Sequence, residues 1–247
     1  MTQGPFFTTL KDRGLVKISG PDRYKFLQDL ITNDIGLLNS QDAIYACLLS
    51  PKGKFLYDFF VSEPEQEPDT LYIECEGGDR TQNLGKKLNR YKKDTYEIEI
   101  KTEPNMLFYT VLGLSFGYKD PRHEKIGYRS FRRPAGIPEH PYDKWDYLRI
   151  SLGIPDGSRD MISGKTTMAA ARIAKFNGLS YEKDDYIGQE FVARRHFSGL
   201  SKKCLQRVNL DQIPEGAELR SSCRDLGIAL MKHTAAPISP IKRKYSS

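Results

Sequence analysis

The chain has 247 residues, 38% of them hydrophobic and 28% charged. That balance suits one or two packed cores and excludes a disordered tail protein, a collagen-like repeat and a disulfide-stapled miniprotein. The formal charge of +6 is uneven: residues 191–247 hold 11 Lys and Arg against 4 Asp and Glu, leaving 27 against 28 in residues 1–190. Any argument for a nucleic-acid partner is therefore confined to the last quarter of the chain.

The longest apolar stretch, Leu107 to Phe116, is interrupted by Thr110, Gly113 and Ser115 and falls far short of the ~20 residues that cross a bilayer, so no membrane partner is expected. Met1 to Thr9 shows neither a basic segment leading into an apolar block nor an Arg-rich, acid-poor pattern, from which a cytoplasmic address is expected. Cys47, Cys75, Cys204 and Cys223 lie far apart without CxxC or CxxH spacing, so neither a disulfide nor a metal site is expected.

Leu15 to Ser19 alternates as a strand does, Gly20-Pro21-Asp22 supplies a turn with proline at a first helical position, and Phe26, Leu27, Leu30 and Ile31 recur at helical spacing up to Thr32-Asn33-Asp34. Ala43 to Leu49 and Lys54 to Val61 are β-type runs joined by Ser50-Pro51-Lys52-Gly53, whose proline and glycine suit a hairpin turn. An exposed loop at 62–69, a strand at Thr70 to Cys75, a helix carrying Leu84, Leu88 and Tyr91, and strands at Tyr96 to Ile100 and Leu107 to Leu112 follow. This order is that of an α+β unit with an antiparallel sheet over roughly 36–112. Beyond it, a strand is predicted at Ile126 to Phe131 and helices around Asp143 to Gly153 and Thr166 to Phe176, the second alanine-rich. Lys203 to Leu210 is β-like, and Ala235 to Ser247, with two prolines and a Lys-Arg-Lys cluster, reads as a loose end.

Four separated segments carry more. Phe26-Leu-Gln-Asp-Leu-Ile-Thr-Asn-Asp-Ile35, Leu49-Ser-Pro-Lys-Gly-Lys-Phe-Leu-Tyr-Asp-Phe-Phe-Val61, Asp120-Pro-Arg122 with Gly127-Tyr-Arg129, and Tyr186-Ile-Gly-Gln-Glu190 stand in the order and spacing of the YgfZ-type proteins. Over roughly residues 5–210 the chain resembles that family of folate-binding relatives of the glycine cleavage T-protein, an aminomethyltransferase, which is implicated in iron–sulfur cluster assembly or repair. The resemblance implies an α+β fold: T-protein-like interleaved α+β domains around a central folate cavity within 1–195, and a truncated C-terminal β-barrel with a loose tail in 196–247. It implies tetrahydrofolate or a derivative as cofactor, and iron–sulfur proteins or assembly factors as partners.

A pterin offers adjacent N–H donors to a carboxylate, an aromatic face, and a glutamate tail that needs cations. Asp58, in a Gly-x-x-x-x-Asp context, matches the T-protein's functional aspartate, and strand alternation places it beside Leu56 and Phe60, where a carboxylate needs a partner. Arg149 matches the basic residue of the family's Arg-hydrophobic-Glu-Ala-Gly segment, whose Glu is here Ser151. Arg122 and Arg129 are read either as ligand contacts or as ion pairs, and Tyr128 and Tyr91 either as stacking partners or as core residues. Lys183, Gln189 and Glu190 belong to the family's Lys-Gly-Cys-Tyr-x-Gly-Gln-Glu segment, in which Asp185 occupies the cysteine's position and Asp184 the glycine's. A carboxylate replaces neither the nucleophilicity nor the soft-metal affinity of a thiolate, so no catalytic residue is assigned and the family's thiol-dependent step is expected to be absent. Two other functions stay open: an aminomethyltransferase-like enzyme, and an RNA-binding protein using the basic 194–207 stretch, which holds Arg194, Arg195, Lys202, Lys203 and Arg207 around His196 and Phe197.

Overall fold

Three antiparallel sheets organise the chain, seen in a computed structural model that describes residues 4–183, 185–198 and 203–232. In chain order the elements are β1 (Phe6–Leu10), β2 (Arg13–Ser19), α1 (Arg23–Gln28), β3 (Ala43–Leu49), β4 (Phe55–Ser62), β5 (Thr70–Glu76), α2 (Asp79–Tyr91), β6 (Glu99–Glu103), β7 (Phe108–Leu112), β8 (Tyr118–Lys119), β9 (Tyr128–Ser130), α3 (Tyr142–Ser151), α4 (Gly157–Asp160), α5 (Met168–Ala171), α6 (Gln189–Ser198), β10 (Lys203–Asn209), β11 (Glu218–Cys223) and β12 (Leu226–Lys232). The sheets run β3-β4-β5-β2-β6, β1-β7-β9-β8 and β10-β12-β11.

The five-stranded sheet is built on the hairpin of β3 and β4. Its turn closes with Gly53 N–H donating to the Ser50 carbonyl at 2.9 Å, Gly53 adopting φ +64°. One face, with Val16, Ile18, Ile44, Phe59, Val61 and Ile73, packs under α1 and α2 through Phe26, Leu27, Leu84 and Leu88. The opposite face meets the four-stranded sheet and α3 through Tyr45, Phe55 and Phe60 against Leu10, Phe108, Tyr118 and Trp145. A sheet covered on both sides explains why β3 and β5 are buried along nearly their whole length.

Several boundaries differ from the sequence reading. Phe6–Leu10 forms a strand paired with Phe108–Leu112, so these two segments belong to the second sheet, while β2 joins the first. Helix α1 stops at Gln28 because the next backbone is captured by β3: Thr32 N–H donates to the Cys47 carbonyl at 3.0 Å and Ile31 bridges Leu48. The alanine-rich segment is not one helix. Arg172 turns left-handed at φ +58°, dividing α5 from a 3-10 turn at Ile173–Phe176 that drives Ile173 and Phe176 into the core, so packing overrides helix propensity. At the C-terminal end, Glu218–Cys223 and Leu226–Lys232 form a hairpin, and with β10 they make a three-stranded sheet; no barrel closes among the described residues. Ala235 to Ser247 lies outside the described residues.

The C-terminal sheet packs on the rest through Leu205, Leu226 and Ile228 and pairs Arg224 with Asp143, and one buried arginine adds a polar tie. Arg149 of α3 is fully enclosed: its Nε donates to Asp146 at 2.8 Å, Nη1 to Asp160 and to the Ile154 carbonyl at 2.7 Å each, and Nη2 to Ser221 Oγ of β11 at 3.0 Å. Ser221 Oγ in turn donates to Asp160 at 2.6 Å. Removing the cation leaves buried acceptors uncompensated, so Arg149→Met should lower stability by ~3–5 kcal/mol in urea denaturation. A loss below about 1 kcal/mol would show that the cluster does not anchor the sheet.

Candidate functional site

Between the five-stranded sheet and its cover lies a cavity of about 160 Å³. Arg13, Asp58 and Phe60 come to it from the five-stranded sheet, Leu10, Arg122 and Arg129 from the second sheet and the loop between β8 and β9, and Trp145 and Gly157 from α3 and α4. Asp12, Tyr142 and Arg159 are its exposed lining residues and form the mouth.

Register explains which side chains reach it. Asp58 faces Cys47, and Phe60 faces both Tyr45 and Glu74, putting Asp58, Phe60 and Glu74 on one face. A bulge at Leu48 and Leu49 shifts the start of β4, so Phe55 rather than Leu56 accompanies Phe60 in that core. Strand alternation alone misplaces Leu56 for that reason.

Two buried carboxylates pair with three arginines of the wall. Glu74 accepts from Arg13 Nε at 2.9 Å, from Arg129 Nε at 3.0 Å and Nη2, and from the Tyr118 hydroxyl. Asp120 accepts from Arg122 Nε at 3.0 Å and Nη2 at 2.8 Å and from Arg129 Nη1 at 3.3 Å. Burial opposes the charge on each, yet Arg129 and Arg13 hold Glu74 below the usual carboxylate range, and Arg122 with Arg129 does the same for Asp120.

Asp58 differs. It is 5% exposed, and its one hydrogen bond among the described residues comes from the Tyr45 hydroxyl to Oδ2 at 2.9 Å. Burial pushes its carboxyl up, with Asp156 adding to the effect and Arg13 opposing it from beyond ion-pair distance. Oδ1 points toward Gly157, where an added Cβ would lie 3.6 Å from it. The wall thus holds an incompletely satisfied carboxylate beside cations already engaged elsewhere.

The cavity brings together Asp58, Arg129 and Arg122 of the residues singled out in the sequence. Arg149 does not line it, being held in its own acidic cluster. Tyr128 packs with Phe7, Tyr109 and Val111, its hydroxyl accepting from Ser115 at 2.8 Å, and Tyr91 packs against the core beneath α2. Gln189 and Glu190 line, with Asp185, a separate shelf beside the Ser50–Gly53 turn, and Lys183 lies buried behind it. Buried Lys183 donates to the carbonyls of Ile31 at 2.6 Å and Asn33 at 3.1 Å, and burial pushes its ammonium down to about 8. Gln189 Nε2 donates to the Lys183 carbonyl at 2.8 Å, exposed Glu190 pairs with Arg194, and Asp185 is exposed at φ +30°. Asp184 and Lys202, and the side chains of His196 and Phe197, lie outside the described residues.

The sequence motifs meet at this shelf. A Cβ on Gly188 would lie 2.6 Å from the Ser50 carbonyl oxygen and 2.8 Å from Gly53 Cα, so the Ser-Pro-Lys-Gly turn and the Tyr-Ile-Gly-Gln-Glu segment pack glycine on glycine. From Gly53 the strand carries the chain to Asp58, a span of roughly 16 Å at ~3.3 Å per residue. Sequence reasoning missed Arg13, Trp145, Gly157 and Arg159. Arg13, a charged residue at the start of the buried Gly14–Val16 run, is the one of these with a signal in the sequence that could have found it.

A carboxyl whose pKa is higher folded than unfolded stabilises the fold fully below the unfolded value, and that contribution is lost as pH rises through the folded value. Asp58→Asn removes this cost of ionisation, so at pH 7 the variant should be at least as stable as wild type in urea denaturation. Its advantage should shrink as pH falls toward about 4. A variant that is less stable than wild type at pH 7 and gains on it as the pH falls would contradict this picture of Asp58.

No family model matches the chain. It is similar to the mitochondrial iron-sulfur cluster assembly factor IBA57 of Mus musculus, 29% identical over 236 residues that cover 82% of this chain and 65% of that protein. The Homo sapiens protein of the same name is 29% identical over 239 residues, 83% of this chain and 67% of its own length. The tRNA-modifying protein YgfZ of Hamiltonella defensa is 26% identical over 238 residues, covering 79% and 67%. The chain thus spans about two thirds of the length of these relatives. The mitochondrial location belongs to the IBA57 names, which do not carry over the cytoplasmic address expected from the N-terminal residues. No helix among the described residues is long and apolar enough to cross a membrane. In fold the chain is similar to the glycine cleavage system aminomethyltransferase T from Bartonella henselae, with a TM-score of 0.69 at 12% identity over 93% of this chain and 78% of that one. With the four motifs in register, these likenesses agree with the YgfZ-type resemblance: the chain is similar in sequence to IBA57 and YgfZ and in fold to the aminomethyltransferase T.

Proposed function

We propose that the protein is a tetrahydrofolate-binding accessory factor for iron–sulfur cluster assembly or repair, with the pteridine ring in the Asp58 cavity. The observation that carries this reading is Asp58 itself, a buried carboxylate with one neutral hydrogen-bond donor and no ion-pair partner among the described residues. A buried polar group in that condition is costly unless a ligand completes it. The names of the IBA57 relatives support the iron–sulfur role.

The residues present fit the group. Asp58 accepts from the N–H donors of the pteridine, Trp145 gives the wall an aromatic surface, and a cavity of about 160 Å³ has room for the fused rings alone. The benzoyl-glutamate tail then leaves by the mouth, where exposed Arg159 lies. Arg159, which pairs with Asp146 and Asp156, would have to give up part of that pairing to take over the role that the resemblance assigns to Arg149. A reduced folate supplies a nitrogen that carries a one-carbon unit. The protein's own part is to orient the ring through Asp58, keep water from it with Leu10, Phe60 and Trp145, and hold Asp58 in place through Tyr45.

The shelf bearing Asp185 is where the family's cysteine would stand, and a carboxylate there leaves binding possible but not thiol chemistry. Complementation of a strain lacking its own YgfZ-type protein, scored by the activity of an iron–sulfur enzyme, tests the whole reading. Wild type should rescue weakly, Asp185→Cys better, and Asp185→Cys combined with Asp58→Asn not at all. Full rescue by wild type would show that the thiol is dispensable. Absence of rescue by every variant, each shown to be folded, would overturn the iron–sulfur role.

A further inference from the structure

The floor of the cavity is the Phe60 ring, over which three guanidinium groups gather, Arg129 at 4.1 Å from the ring centre, Arg122 at 4.8 Å and Arg13 at 5.8 Å. They are not equivalent. Arg129 commits all three of its nitrogens to Glu74 and Asp120. Arg122 commits Nε and Nη2 to Asp120, and Arg13 commits Nε to the Glu74 carboxylate and Nη2 to its backbone carbonyl. That leaves Nη1 of Arg122 and of Arg13 without a hydrogen-bond partner among the described residues, on side chains that line the cavity and belong to residues 3% and 8% exposed.

Across from them, Asp58 Oδ1 likewise has no hydrogen-bond partner among the described residues, and no ion pair joins Asp58 to either arginine. Donors and an acceptor therefore line one enclosure, farther apart than an ion pair. The complement of that pattern is a ligand edge with an N–H next to a carbonyl oxygen, the edge of a cyclic amide. The 2-amino-4-oxo pteridine has it. A 4-amino pteridine replaces the carbonyl oxygen with an NH2 donor, which would face the guanidiniums donor to donor and leave them unpaired.

We propose that Arg122, aided by Arg13, is the specificity-determining residue of the cavity and selects a 4-oxo over a 4-amino pteridine. The proposal rests on the folate reading above. The protein contains a single tryptophan, Trp145, in the cavity wall, so its fluorescence reports occupancy without a label.

The test is a fluorescence titration of the full chain with tetrahydrofolate and with its 4-amino counterpart, tetrahydroaminopterin, in wild type, Arg122→Lys and Arg122→Gln. Wild type should bind tetrahydrofolate on the order of tenfold or more tighter, because a site built to donate hydrogen bonds rejects an analogue that lacks the acceptor. A folded Arg122 variant should lose most of that preference, chiefly by weaker binding of tetrahydrofolate. Equal affinities in wild type, or a preference for the 4-amino compound, would overturn the proposal without needing any variant to fold. So would a preference that survives intact in a folded Arg122 variant. Binding of neither compound would overturn the folate reading itself and this inference with it.

Discussion

Glu74 is the acceptor on which the site depends. It lies on β5 at the centre of the five-stranded sheet, yet its partners come from β2, β8 and β9, so one carboxylate joins the two sheets across their interface. Buried ion pairs of this kind are weak contributors to stability, because desolvation offsets much of the attraction. Their effect here is positional. Glu74 engages Arg13 in part and, together with Asp120, Arg129 fully, which keeps both cations from closing on Asp58, and Asp120 holds Arg122 in the same way. Burial and the neighbouring Asp156 carboxylate push the Asp58 carboxyl up and outweigh Arg13, which favours its charged form from a distance.

The hairpin of β3 and β4 connects the two regions in which the family motifs cluster. At its turn, Gly53 and Gly188 approach closely enough that neither tolerates a side chain, which fastens the Asp185 shelf to the sheet. Further along β4, Asp58 faces the cavity. The segment after α1 secures the same hairpin from its other side: Thr32 Oγ1 donates to the Gly178 carbonyl at 2.6 Å and accepts from Cys47 N–H at 2.8 Å, while Asn33 Nδ2 donates to the carbonyls of Tyr45 and Asn177. The Thr-Asn-Asp motif is thus a clamp between β3 and the 177–183 segment. Its polar side chains replace the backbone bonds that a longer helix would have made.

Local pattern made the hairpin, α2 and α3 legible in the sequence, because each has a periodicity that its own packing preserves. It failed where distant residues decide. β1 exists because Phe108–Leu112 pairs with it, and the alanine-rich run breaks at Arg172 because the core takes Ile173 and Phe176. The same holds for the site. Asp58 stood out as a carboxylate on an apolar strand. Arg149 resembled a ligand contact until Ser221, 72 positions later, turned out to be one of its partners. No spacing rule links Trp145 or Gly157 to Asp58, since they approach it only through the docking of α3 and α4 on the sheet.

The central claim is that Asp58 is held desolvated and unpaired until a pteridine completes it. Carbon-13 NMR titration of the Asp58 carboxyl, assigned by its loss in Asp58→Asn, measures this directly in the free protein and with tetrahydrofolate added. The account expects a free-protein pKa above the ordinary aspartate value of about 3.9, and a marked fall when tetrahydrofolate supplies N–H donors to the charged form. An ordinary pKa in the free protein, or a raised one that tetrahydrofolate leaves unmoved, would contradict it.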